Sequence, residues 1–539
     1  MSGLRTNGAV ALAFCLFTAV VTYPQIAVLA TAVADHPDPY FSMWRLGWVA
    51  HQLAADPRHL FDANIFFPER NTFAYSDAML LPGTLLAPLF WLRVSPVAIY
   101  NGALLGALTL SGFSMFLLAR QVTASVPASI AAGMIYAYAP YRLEQYIHLE
   151  MQMVFWIPIA MLLLHRIVAG RRLRDGFAFG LTAAAQLLSG VYGALYFFIS
   201  LVVFVPALIG AAGARPLGRL LAPLAIAALA AAAIGLPYSR PYAEAAAVAG
   251  PRPAREIRHF GASLASYVAA TPSNRLHGWT SRFGGEELNL FPGLAAIALG
   301  AIGVASAASN RSRVPLAYVA LLVFAADASR GLDGFTFPLL FRYVPPMQAM
   351  RVPSRFALIV NLALGMLAAV GLAAVLRNRA LRTRTVAGVI VAGVLLVEYA
   401  AQPALANTPR PSPADRWLAG QPRGVLVELP LPRPEAMWPS NESRFMFEGM
   451  VHWLPMANGY SGFFPASYLE LVQIMRTFPD ERSLAYLRQR GVNYVVLREN
   501  FYDSMRWQDL LERLERARGV KLLAGFPAPG NERIYTIAE

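Results

Sequence analysis

The chain has a single cysteine, Cys15, and it lies inside an apolar run. No disulfide can form within the chain, and no cysteine-based metal site is credible. Lysine is almost missing as well. Lys521 is the only one, and arginine takes its place elsewhere, which reads as a compositional habit rather than a function. Charge is scarce: 14% of the 539 residues are Asp, Glu, Lys or Arg, against about 25% in soluble proteins. A charge at the centre of a bilayer costs about 2.5–3.5 kcal/mol or more, so the shortage points to lipid as the main solvent. The sequence has no P-loop, dinucleotide fingerprint, metalloprotease helix or heme motif, and no internal repeat or low-complexity tract.

What the sequence does have is apolar length. Hydrophobic residues make up 57% of it, and a spanning helix needs roughly 20 of them in a row, within about 17–25. Suitable runs occur near 9–30, 97–119, 124–139, 150–168, 177–190, 194–213, 217–236, 290–308, 314–329, 356–376 and 386–403. The runs 124–139 and 177–190 are short. The stretch 79–92 is apolar but broken by Pro82, Gly83 and Pro88, as in a re-entrant segment or the start of a longer second helix. Arg5 precedes the first run and Ala30-Thr31-Ala32 fits a cleavage pattern. That run exceeds the h-region of about 7–15 residues usual in signal peptides, so an uncleaved helix is expected. Residue 35 is outside under either reading.

The net charge of +14 does not signal nucleic acid. The basic excess sits in short connections between apolar runs, such as Arg166–Arg174 and Arg377–Arg384, with further arginines at Arg215, Arg219, Arg311 and Arg313. Asp175 is the only acid on that side. This is the positive-inside pattern that orients membrane proteins. It predicts a multi-pass protein with a cytoplasmic N-terminus and an extracytoplasmic C-terminus. The expected fold is an all-α polytopic membrane domain of about eleven transmembrane helices over 1–403, followed by a small α/β domain over 404–539. The loops 31–96, 140–149, 237–289 and 330–355 then share the outer side with the tail. In the tail, residues 424–429 and 493–497 read as strands, and 466–477, 480–490 and 505–518 as helices. The proline-rich stretches 403–413 and 430–439 read as linkers. Residues 410–539 are expected to fold alone.

The first outer loop opens with two carboxylates, Asp35 and Asp38, directly after the first helix. Phe41, Trp44, Trp48 and His51 follow at helical spacing, forming an aromatic face suited to the headgroup boundary. Spacing alone makes Asp38 the N-cap of that surface helix. Farther along, Arg142, Arg351 and Arg355 fall at outer helix ends, where they either anchor the interface or meet a lipid phosphate. Glu144 and His148 are four apart and share a face if 141–149 is helical. They read as a local ion pair or as ligands of donor, acceptor or a divalent ion, although two ligands alone make no metal site.

A long first outer loop with acidic residues after helix one and a surface helix behind them resembles the GT-C superfamily of membrane glycosyltransferases. Three further segments are similar to bacterial members: Pro140–Leu149 before Trp156-Ile157-Pro158, Leu188–Gly193, and Met350–Phe356. The resemblance covers most of residues 1–400. It implies an integral protein of the bacterial cytoplasmic membrane that takes a sugar from a polyprenyl-phosphate donor. The acceptor would be a glycolipid, a cell-envelope polymer or a protein on the outer face. It implies that Asp38, or Asp35, is the base that deprotonates the acceptor in an inverting displacement. Arg142, Glu144, His148, Arg351, Arg355 and His51 are then candidates for holding substrate. A divalent cation is compatible with the resemblance, and no metal ligand is assigned. The rival reading is a non-enzymatic transporter or flippase of a lipid-linked saccharide, which would place ionisable groups mid-membrane on a two-fold repeat. The absence of a repeat favours the enzyme.

Overall fold

The computed structural model describes residues 2–213, 216–309, 313–433, 441–527 and 530–537. Arg215, Arg311 and most of the 430–439 linker lie outside the described residues. Each apolar run carries a helix, including Ser2–Val21, Val126–Tyr138, Leu173–Ser189, Leu294–Ser309, Val314–Ala328 and Leu381–Glu398. Among the described residues, five helices are long and apolar enough to cross a membrane: Pro96–Thr123, Leu149–Gly170, Val191–Ala212, Gly218–Ala249 and Pro353–Leu376. The ambiguous stretch at 79–92 is a separate twelve-residue helix, Leu80–Trp91.

The chain gathers into two compact units. One comprises residues 1–34, 101–239 and 250–406, and the other residues 35–100, 240–249 and 407–539. The first unit is helical and packs around Ala357–Leu376, most of whose side chains are buried. Small residues allow its neighbour Leu294–Ser309 to come close. A Cβ on Gly303 would run into the Leu367 carbonyl, and one on Gly371 into the Leu299 carbonyl. Close backbone approach of this kind is what glycine permits between membrane helices.

The second unit holds a four-stranded sheet in the order Val425–Leu429, Val492–Arg498, Glu532–Ile537, Val520–Phe526. The first pair is parallel, with Val427 opposite Val495, and the remaining pairs are antiparallel. The strands of the parallel pair, Val425–Leu429 and Val492–Arg498, are buried and mostly apolar, which is why they are legible as strands. The helix Glu481–Gln489 starts on Asp480, whose carboxylate accepts from the Ser483 N–H at 2.8 Å. It stops at Gly491, which takes a φ of +66°. Ser504–Arg516 is capped in the same way by Asp503.

This sheet does not close its core alone. The helix Pro37–Ala55 buries Phe41, Trp44 and Trp48 among tail residues including Leu426, Leu454, Met456 and Tyr460. The aromatic face expected at the headgroup boundary is therefore internal to this unit. Burial is possible because the indole N–H groups are paired, Trp44 to Asn64 Oδ1 at 3.2 Å and Trp48 to the Leu60 carbonyl at 2.8 Å. Backbone bonds stitch the loop to the tail: Phe66 N–H to Asn458 O at 2.8 Å, and Met456 N–H to Asn64 O at 2.9 Å. Residues 410–539 made alone should therefore lack a cooperative thermal transition by circular dichroism. Supplying residues 35–100 on the same or a second chain should restore it. A sharp transition of the tail alone would show that the shared core is dispensable.

Candidate functional site

The sequence-derived residues fall into two groups, one in each unit. Asp35, Asp38 and His51 belong to the unit containing the tail. Arg142, Glu144, His148, Arg351 and Arg355 belong to the helical unit.

In the first group the N-cap of Pro37–Ala55 is His36, whose Nδ1 accepts from the Asp38 N–H at 3.2 Å. Asp38 is thus in the first turn of the helix rather than its cap. Its carboxylate sits near the positive end of the helix dipole, which favours the charged form. Oδ1 accepts from the Tyr460 hydroxyl at 2.7 Å, and Oδ2 lies 3.5 Å from His36 Nδ1. The Asp38 side chain is 14% exposed, so it is held in place yet reachable. Asp35 is exposed. His51 is stacked on Trp453 with ring centres 4.7 Å apart, and also packs beside Trp48. Burial, followed by the charge of Arg423, lowers its pKa and favours a neutral ring. His51 therefore belongs to an aromatic stack within the core.

In the second group the stretch after Tyr138 is not one helix. It runs as a short helix Pro140–Glu144, a 3-10 turn Gln145–Ile147 and an extended His148. Glu144 and His148 consequently do not share a helical face. Glu144 accepts from Asn289 Nδ2 at 2.9 Å, and burial raises its carboxyl despite bonds from Asn289 and Thr271. His148 Nδ1 lies 3.0 Å from Gln145 Oε1, an amide oxygen that can only accept, so Nδ1 carries the proton. The other nitrogen, Nε2, is then the acceptor that faces the Arg355 guanidinium at 3.4 Å.

Arg355 and Glu287 form a buried ion pair at the centre of this group. Gln145 Nε2 donates to the same carboxylate at 2.6 Å, and the Arg355 guanidinium lies 4.8 Å over the Tyr192 ring. Burial alone would raise the Glu287 carboxyl. The Arg355 charge, His148 and the hydrogen bonds of Arg355 and Gln145 outweigh it and bring the pKa down to about 2. Arg142 is fully buried, and its guanidinium donates to the carbonyls of Met151 and Gln152 at 2.6 and 3.4 Å. That geometry ties the ends of the 142–152 segment together and gives no face to a lipid phosphate. Arg351 is the most open of the three arginines, 29% exposed. It stands 3.7 Å from Glu256, a carboxylate that Arg252 also approaches at 3.8 Å. Beside Glu144 lies an open polar depression of about 440 Å³, lined by Pro272, Ser281, Arg282, Gly285, Glu286 and Asn289.

Among the described residues one group has metal-like spacing, Asp415, Glu428 and His452, with ligand atoms within 4.8 Å of one another. Its chemistry argues against a metal. His452 Nδ1 accepts from the Leu454 N–H at 3.0 Å, so the proton sits on Nε2 and neither nitrogen has a lone pair to give. The centre is held instead by Arg498, which reaches Asp415, Glu428, Glu448 and Glu532 at 2.6, 2.5, 2.9 and 2.8 Å. Burial raises Glu428 to about 8, partly offset by Arg498. Glu287, Gln145, Tyr460 and Arg498 are not among the site residues that the sequence singles out, although Gln145 lies within the Pro140–Leu149 segment. The charged partners Glu287 for Gln145, Arg355 for Glu287, Asp38 for Tyr460 and the four carboxylates for Arg498 lie 34 to 422 residues away.

No protein-family model matches this sequence, and no similar curated protein is found. Solved structures are similar in fold. The oligosaccharyltransferase of Archaeoglobus fulgidus, tethered through a disulfide bond to an acceptor peptide containing the NVT sequon, matches 99% of this chain and 74% of its own, with TM-score 0.50 and 14% identity. The same enzyme in complex with Zn and sulfate matches 98% and 73%, with TM-score 0.50 and 13% identity. At such identity the likeness is one of fold.

The Glu287–Arg355 pair sets an acid limit on stability. A carboxyl with an ordinary value of 4.5 that is held near 2 in the folded chain contributes stability above 4.5 and loses it as pH falls through about 2. Thermal melts in detergent should show a midpoint falling over that window, and a flatter dependence in Glu287→Gln. Arg355→Ala strands the buried carboxylate and should cost about 3–5 kcal/mol at neutral pH.

Proposed function

We propose that this protein is a multi-pass membrane glycosyltransferase that moves a sugar from a lipid-phosphate donor to an acceptor on the outer face of a bacterial cytoplasmic membrane. The observation that carries the reading is Asp38, a carboxylate fixed by Tyr460 yet still reachable, on a chain whose fold resembles an oligosaccharyltransferase. The eleven apolar helices are read as spans, with the N-terminus cytoplasmic and residues 404–539 outside. The donor is a polyprenyl-phosphate-linked sugar. The acceptor is a glycolipid, a cell-envelope polymer or a protein, the last in keeping with the peptide tethered to the structural neighbour.

In the reaction the acceptor oxygen attacks the anomeric carbon and a new C–O bond forms. The bond from that carbon to the lipid phosphate breaks, and the phosphate leaves with the electron pair. The acceptor proton passes to Asp38. The positive end of the helix dipole and the Tyr460 bond keep Asp38 ionised and aimed. Asp35, exposed and three residues earlier, is the auxiliary carboxylate. Arg351 is assigned the anionic donor because its guanidinium retains open surface, whereas Arg142 and Arg355 are enclosed among carbonyls and Glu287. Glu144 and Asn289, lining the polar depression, are assigned to sugar hydroxyls.

Asp38→Asn keeps the side-chain shape and removes its basicity, so transfer should fall by about 10²–10⁴-fold. Asp35→Asn should have a smaller effect, and Arg351→Ala should chiefly raise KM for the donor. Transfer is followed by mass spectrometry of envelope glycans and lipid-linked saccharides in a deletion strain carrying each variant. Normal transfer by Asp38→Asn would overturn its role as base. A reporter fused after residue 539 should be active only outside the cytoplasm, and one near Arg172 only inside. Matching signals would refute the topology.

A further inference from the structure

Resting on the reading of the chain as a glycosyltransferase, we infer that the polar depression beside Glu144 is a preformed subsite for an uncharged sugar ring, that it does not take the lipid phosphate, and that Arg282 is its specificity-determining residue. All of the groups involved belong to the helical unit. The volume of about 440 Å³ lies within the range of about 300–1,000 Å³ typical of small-molecule sites. The lining offers hydrogen-bonding groups of both kinds: the Arg282 guanidinium and the Ser281 hydroxyl can donate, and the carboxyls of Glu144 and Glu286 can accept. A sugar hydroxyl both donates and accepts, so a ring with several of them matches such a lining. Phosphate does not. Two acidic residues, Glu144 and Glu286, stand against the single cation Arg282, and the charge of the adjoining Glu287 is already matched by Arg355. The depression therefore has no cationic excess with which to hold an anion.

The wall of the depression is fixed in advance, although most of it is irregular chain. Asn274 accepts from the N–H groups of Leu276 and His277 at 3.1 and 2.7 Å and donates to the Glu398 carbonyl at 2.8 Å. The Arg275 N–H reaches the Ala400 carbonyl at 2.9 Å, and the Thr280 hydroxyl accepts from the Ala270 N–H at 2.9 Å. At the other end Glu287 takes a φ of +63°, a left-handed geometry that a residue with a side chain keeps only when its surroundings hold it. Arg355 and Gln145 supply that hold through the carboxylate, and so they set the backbone between Glu286 and Asn289. Asn289 Nδ2 donates to Glu144 at 2.9 Å and fixes the carboxyl. The Arg282 guanidinium lies 5.0 Å from the centre of the Trp279 ring and 4.8 Å from that of Phe283. Arg282 and both rings are exposed, so the rings steady the cation without enclosing it. Polar groups held in this way lose little freedom when a ligand binds.

Saturation-transfer difference NMR on the full-length protein in lipid nanodiscs tests the subsite. The probes are the methyl glycosides of glucose, galactose, mannose, N-acetylglucosamine and arabinose. At least one should bind, and Arg282→Ala should weaken it about 10- to 100-fold, the size of a lost hydrogen bond to a charged group. Because Arg282 is exposed, its removal leaves the fold intact, which an unchanged thermal melt checks. Gly285→Trp is a second variant. A Cβ at Gly285 meets Leu288 Cδ1 at 3.9 Å as its nearest neighbour, so the backbone accepts it, and the indole should fill the depression and abolish binding. Asp38→Asn, in the other unit, should bind as the wild type does. Inorganic phosphate should leave the glycoside signal unchanged; displacement by phosphate would show an anion site and overturn the proposal. No signal from any glycoside, or wild-type affinity in both Arg282→Ala and Gly285→Trp, would also overturn it. Transfer assays separate donor from acceptor as the source of the ring. Arg282→Ala should raise KM for whichever carries it, and a KM unmoved for both would overturn the subsite. Glycoside binding, lost in the two variants, by a protein whose wild type transfers no sugar would uphold the subsite and overturn only the glycosyltransferase reading.

Discussion

The burial of the Pro37–Ala55 aromatic face against residues 407–539 is the constraint on which the candidate catalytic group depends. Three large rings, Phe41, Trp44 and Trp48, enter one core with the central strands. Burying rings of 150–250 Å² each is worth several kcal/mol, and each indole N–H has a partner, so no polar penalty offsets the gain. Because the helix cannot rotate without exposing those rings, its first turn is fixed, and Asp38 with it. The tail is therefore more than an appended domain. It supplies the surface that orients the helix and, through Tyr460, the hydroxyl that holds the carboxylate.

The helical unit answers a different physical problem, which is to keep charges inside an apolar body. Arg355 lies at the start of the Pro353–Leu376 span, and its charge is matched by Glu287 from the 250–293 segment. Gln145 and His148 complete the shell, with the histidine tautomer set by the glutamine oxygen and its other nitrogen turned to the guanidinium. A buried pair of this kind adds little net stability beyond an apolar replacement but is very costly to break. Its effect is to lock the 140–149 segment, the 285–289 segment and the Pro353–Leu376 helix in one arrangement. Arg142 does similar work with neutral partners, binding two carbonyls where the backbone leaves helical geometry.

Arg498 gives the tail its own buried centre, facing four carboxylates from four places in the chain. The surplus of acid over base there is relieved by protonation, as the raised carboxyl of Glu428 indicates. The bonding of His452 through Nδ1 explains why spacing that suits a metal does not make a metal site.

The sequence by itself determined the membrane character, the positions of the apolar helices and the tail strands Val425–Leu429 and Val492–Arg498, because these depend on local composition and periodicity. Scarce charge and runs of about 20 apolar residues have few other solutions. It also brought Asp38 to notice, through its place after the first helix. Other features were beyond local pattern. The strands Val520–Phe526 and Glu532–Ile537 lack clean alternation, and the aromatic stripe of Pro37–Ala55 has the same spacing whether it meets headgroups or a protein core. Tertiary structure alone decided that the stripe packs on the tail, that Arg142 and Arg355 are enclosed, and that Tyr460 meets Asp38. Each of these rests on a hydrogen bond, an ion pair or a packed ring between residues far apart in the chain, and no period in the sequence encodes such a pairing.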